Sequence, residues 1–307
     1  MVKIACQMAS PDHNRGGFAF GRGRFPHARF GAVAALFMAV SSAVLPSAGA
    51  ATNAIETDAG LADIVRVDVL HGWRTLVGSH MAAVRFRLAE EWKTYWRQPG
   101  VNGISPRFDM RQSRNLDVME IHWPAPRAFG PVGNRVIGYE DELVLPLELF
   151  PADGNTEISF DMRLDFGVCR DVCIPVTTHL RYSTSSPLRS HRQLIESALG
   201  QLPDPLDRTG FSDLGCGIEK QEHGFLVTAR IRAPDDPGRE VEALFELPGA
   251  PAWIEPYAVE VDGSVITAKA RVRPFGTDGF ILDRSRLLLT LLTGLGAVEI
   301  PGCDGQG

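Results

Sequence analysis

"EISFDMRLDFGVCRDVCIPVTTHLRYS", residues 157–183, decides the fold. On either side of Cys169 and Cys173, the runs 157–168 and 174–183 alternate apolar and polar residues, the period of a half-buried β-strand. Four residues of extended chain span about 13 Å, whereas the Cα atoms of a disulfide lie about 4.4–6.8 Å apart. The chain must therefore turn between the cysteines, and Arg170-Asp171-Val172 is what remains for the turn. A three-residue loop closing an antiparallel hairpin sets Cys169 and Cys173 opposite each other at its tip. A helical turn would also bring them together, but Pro175 and the β-branched neighbours argue against it.

Working outward, the same alternation recurs at 64–70, 81–89 and 143–150, broken by clusters such as "QPGVNG" (98–103) and "PADGN" (151–155). Helical spacing replaces it once, in "SPLRSHRQLIESALGQLPDP", where Leu194, Ile195, Ala198, Leu199 and Leu202 fall on one face. Ser190 with Gln193 fits a capping box, and Gly200 followed by Pro203 fits a stop. Alternation then resumes at 224–233, 241–247, 257–274 and 286–300, with Asp262-Gly263 as a hairpin signal. The expected fold is all-β: two β-sandwich domains, 51–185 and 206–307, joined by a short linker helix, 186–205.

Residues 1–50 read as a signal peptide. Basic residues precede an apolar run from Gly31 to Leu45, and small residues follow to Ala48-Gly49-Ala50. Cleavage is expected near Ala50/Ala51, giving an exported, periplasmic chain that is not itself transmembrane. Loss of five basic residues and one acid would move the formal charge from −6 to about −10. An acidic surface argues against nucleic acid and anionic lipid as partners. Cys6 would leave with the leader, so four cysteines remain in an oxidising compartment. Cys216 and Cys303 flank the second domain, and a structural disulfide between them is expected.

For Cys169 and Cys173 three readings stand at this point: redox pair, structural staple or half of a metal site. A staple across so small a loop constrains little of the unfolded chain, far below the roughly 3 kcal/mol of a 15-residue loop. A redox pair needs a stabilised thiolate; Arg170 supplies positive charge nearby and Asp171 opposes it. A metal site needs further ligands. His71, His80, His122 and His179 show no metal-binding spacing, so no metal is expected. Trp92, Tyr95, Trp96 and Trp123 are read first as sandwich packing, with a docking face as the alternative. No G-x-S-x-G, P-loop or dinucleotide motif occurs in a suitable context, and no cofactor is expected.

The stretches "EEWKTYWRQPGVNGISPRFDM" (90–110), "IHWPAPRAFG" (121–130), "VIGYEDELVLPLEL" (136–149) and "FGVCRDVCIPV" (166–176) resemble, in order, the N-terminal thiol-exchange domain of the disulfide reductase DsbD and its relatives, including the N-terminal part of the copper-tolerance protein ScsB. The run from Ala243 to Ile300 is similar to the second β domain of the longer relatives. The resemblance implies immunoglobulin-like domains and makes Cys169 and Cys173 the exchanging pair. It also implies an aromatic cap over the oxidised pair, here Phe129, with Tyr139 lining the same site. The implied partners are periplasmic thioredoxin-fold proteins. No stretch resembles the family's membrane electron-conducting domain, so a separate membrane electron donor is expected. The spacing of the two cysteines is shorter than in the best-known member. A binding module with a structural disulfide and a copper-tolerance accessory protein are the competing functions.

Overall fold

The two runs around the cysteines pair with each other along their whole length. A computed structural model describes residues 2–5, 60–100, 103–131, 135–185, 190–238, 240–276 and 280–303, which fall within one compact unit. It is nearly all β. The strands before the helix are β1 (Val2–Ala5), β2 (Val65–Arg74), β3 (His80–Leu88), β4 (Lys93–Gly100), β5 (Arg107–Asp109), β6 (Val118–Ile121), β7 (Arg127–Phe129), β8 (Val136–Glu140), β9 (Glu142–Phe150), β10 (Ser159–Cys169) and β11 (Cys173–Ser183). They form two sheets, ordered β1-β6-β9-β3-β2 and β11-β10-β4-β8-β7, with β5 also pairing β10. Alternation aims Phe160, Met162, Leu164 and Phe166 of β10 inward, where they meet Val84, Phe86, Leu145 and Leu147 in one apolar core.

After the helix α1 (Arg192–Leu199) come β12 (Asp204–Pro205), β13 (Ser212–Gln221), β14 (Gly224–Arg232), β15 (Glu242–Glu246), β16 (Ala252–Asp262), β17 (Val265–Pro274), β18 (Leu288–Thr293) and β19 (Gly296–Pro301). Two further sheets, β12-β19-β18-β15 and β13-β14-β17-β16, enclose a second apolar core around Val227, Ile266, Ala268 and Leu291. Between β16 and β17, Asp262 pairs with Val265, so the turn is Gly263-Ser264, with Gly263 at φ 57°. Among the described residues, no helix is long and apolar enough to cross a membrane.

Three expectations shift. The helix is shorter than 186–205, running 192–199. His191 stands at its N-cap and no side chain caps it, so the Ser190–Gln193 box does not form. Tertiary packing holds this helix instead: Ile195 is buried against Leu70, Met81 and Ala83. The break expected from Gln98 onward begins inside β4. Pro99 is tolerated there because the pairing with β8 is irregular between Tyr95 and Gly100, so its missing N–H removes no ladder bond. β1 lies within the stretch read as the leader and pairs β6; the rest of that stretch, the proposed cleavage point included, lies outside the described residues.

Cys216 on β13 and Cys303 after β19 are bonded, with Cα atoms 5.2 Å apart and 87 residues of separation. Replacing both by alanine is expected to lower unfolding stability by about 2–5 kcal/mol, read as a shift in denaturant midpoint. An unchanged midpoint would show that the bridge adds nothing.

Candidate functional site

The hairpin β10–β11 ends in the pair Cys169↔Cys173. Arg170-Asp171-Val172 is the loop, closed by a hydrogen bond from Arg170 N–H to the Val172 carbonyl at 3.2 Å. The cysteines are bonded, their Cα atoms 4.2 Å apart. They differ in access: Cys169 is 6% exposed, whereas Cys173 lies on the exposed side of β11. Position in the hairpin makes the difference, because Cys169 also pairs with Lys93 of β4 while β11 is the sheet's edge.

Strand β4 builds the floor. Its Tyr95 hydroxyl lies 2.5 Å from Cys169 Sγ and 2.9 Å from Cys173 Sγ, donating to sulfurs that carry no proton in the bridge. Burial raises the Tyr95 pKa above its ordinary value, so the phenol stays protonated and remains a donor near neutral pH. Two glycines make room for it. A Cβ on Gly167 would stand 2.8 Å from the Tyr95 ring, and one on Gly138 would stand 2.0 Å from the Thr94 carbonyl oxygen. Any side chain at either position would push β10 or β8 away from β4 and move the hydroxyl off the sulfurs.

Of the residues that sequence reasoning singled out, Phe129 is half-buried on β7. Its ring is flanked by two cations, Lys93 Nζ at 5.2 Å and the Arg127 guanidinium at 5.3 Å from the centroid. Glu140 holds both, at 2.9 Å from Lys93 and 3.6 Å from Arg127. Because Lys93 is the register partner of Cys169, this cluster neighbours the disulfide. Arg170 pairs with Asp171 at 3.1 Å and stacks over Trp92 at 5.4 Å. Its charge is therefore shared rather than aimed solely at sulfur.

Tyr139 points elsewhere. It is buried, with its hydroxyl donating to the Pro124 carbonyl at 2.7 Å, and burial pushes its pKa well above the ordinary value. It packs into the core beneath β8 and touches neither sulfur through its hydroxyl.

Tyr95 is the residue that sequence reasoning missed, having been grouped with the packing aromatics. The alternation of β4 carries the signal: Lys93, Tyr95 and Arg97 share one face, and Lys93 sits opposite Cys169. That pairing is visible only once the strand order is known. Arg97, next on that face, is buried at the boundary with the second half of the chain. It bonds Glu246 at 2.9 Å and Glu299 at 2.6 Å.

Residues 66–184 match the family model described as "Thiol:disulfide interchange protein DsbD, N-terminal". The fold is similar to the crystal structure of the N-terminal periplasmic domain of ScsB from Proteus mirabilis, with a TM-score of 0.57 and 21% identity, covering 79% of this chain and 92% of that one. No curated protein matches the chain. The resemblance to the DsbD N-terminal family, read from four blocks of sequence, thus holds over residues 66–184.

Proposed function

We propose that the chain is a periplasmic thiol–disulfide exchange module, and that its two halves are immunoglobulin-like domains, 51–185 and 206–307, with a leader removed near Ala50/Ala51. The observation that carries the reading is a bonded cysteine pair at an edge hairpin, with one cysteine exposed and a buried phenol donating to both sulfurs. The family match over the same residues supports it, as does the compartment that the leader implies.

In the reduced form, the Cys173 thiolate attacks a disulfide of a thioredoxin-fold partner. The partner's bond breaks, one partner sulfur leaves as thiolate, and a mixed disulfide forms. The Cys169 thiolate then attacks Cys173 Sγ, releasing the second partner thiolate and closing the 169–173 bridge. Two electrons pass to the partner, and a separate membrane dithiol donor reduces the bridge again. Tyr95 donates its hydrogen bond to whichever sulfur carries charge.

The reduction potential of the 169–173 couple tests this. An exchanging bridge sits above about −300 mV, whereas one below it belongs to a structural staple in a binding module. Tyr95→Phe tests the phenol. Losing a hydrogen bond to a charged sulfur costs about 1.5–3 kcal/mol, which raises the reactive thiol pKa by about one unit or more. The pH profile of alkylation should shift upward accordingly; an unshifted profile removes Tyr95 from the chemistry.

A further inference from the structure

On the first sheet, away from the cysteines, Glu120 of β6 pairs directly with Glu148 of β9. Side chains opposite each other in an antiparallel ladder share a face. His122, two residues beyond Glu120, joins them. One donor atom from each of the three lies within 4.8 Å of the others. The imidazole is only 6% exposed, yet neither ring nitrogen makes a hydrogen bond among the described residues. Its Nε2 stands 3.4 Å from Glu148 Oε2.

That spacing is long for a hydrogen bond. It does match the edge of a tetrahedral metal site, where bonds of about 2.0–2.1 Å put neighbouring donors about 3.3–3.5 Å apart. The far oxygen of Glu148 is already held: Ser79 Oγ donates to Oε1 at 2.5 Å, and Ser79 is linked in turn to Thr75 at 2.6 Å. Fixing one carboxylate oxygen and leaving the other facing an imidazole is how outer hydrogen bonds orient metal ligands.

We propose that Glu120, His122 and Glu148 form a binding site for a divalent transition cation of the zinc class, independent of the disulfide. One imidazole and two carboxylates, without thiolate, suit Zn²⁺ or Cu²⁺ and disfavour Cu⁺. β1 runs along β6 with Lys3 in register with Glu120, so removal of the proposed leader would clear the edge beside the site. The histidine spacing showed no such site because its donors meet across two strands.

The test is titration of the exported, fully oxidised protein with Zn²⁺ against a chromophoric chelator. Oxidation keeps the four cysteines out of the contest. The proposal expects one Zn²⁺ per chain and a Co²⁺ form with tetrahedral visible bands and no sulfur charge-transfer band. Ser79→Ala, which retains every ligand, should weaken binding ~10-fold, and His122→Ala or Glu148→Gln at least ~100-fold. Absence of stoichiometric binding overturns the site, as does affinity unchanged in Ser79→Ala and Glu148→Gln. If His122→Ala fails to fold, those two variants decide.

Discussion

Cys169→Ala should accumulate a stable mixed disulfide with a thioredoxin-fold partner, whereas Cys173→Ala should accumulate none. The asymmetry follows from exposure. Cys173 lies on the exposed side of an edge strand, and Cys169 is 6% exposed with β4 beside it. Thiol exchange requires approach along the axis of the bond being broken, and a partner reaches only the outer sulfur. Without Cys169 the mixed disulfide has no internal thiolate to resolve it; without Cys173 nothing attacks. Both variants should lose catalytic turnover altogether. Non-reducing electrophoresis after incubation with an oxidised thioredoxin-fold protein reads the result. Trapping by Cys173→Ala instead would reverse the assignment, and trapping by neither would leave the bridge structural.

Arg97→Met should destabilise the whole chain by about 3–5 kcal/mol, the usual consequence of removing one partner from a buried ion cluster. Arg97 is 7% exposed and lies between Glu246 and Glu299. Burial already raises the Glu246 pKa, and Arg97 opposes that rise. Without the guanidinium, the Glu246 carboxyl is pushed further up. A carboxyl with a raised folded-state pKa costs stability once pH exceeds its unfolded value. The deficit should therefore be small near pH 4 and grow towards pH 7. Denaturant unfolding of variant and parent at both pH values checks it. The triple change Arg97→Met, Glu246→Gln, Glu299→Gln should recover much of the loss, because it leaves no uncompensated charge. A deficit independent of pH would mean that the side chain acts by packing alone.

The strand Lys93–Gly100 shows why the site was only partly legible. Its sequence offers aromatic and basic residues without a decisive period, and Pro99 and Gly100 suggest a break. In the structure the same strand presents Lys93 to the Phe129 cluster, Tyr95 to the sulfurs and Arg97 to the second half of the chain. The hairpin, by contrast, was readable in full, because its two strands and loop are contiguous and a period of two fixes which residues face inward. The helix was located correctly but given the wrong cap, because burial of Ile195 and Ala198 holds it without one.

Local sequence determined the β class, the hairpin, and the meeting of Cys169 with Cys173, since each depends on neighbours in the chain and on reach. The tertiary structure alone decided that Cys173 is the exposed cysteine of the pair, that Tyr95 rather than Tyr139 meets the bridge, and that Glu120, His122 and Glu148 share one face. Those facts depend on which strand lies beside which, and strand order is set by the burial of whole sheets, which no short stretch encodes.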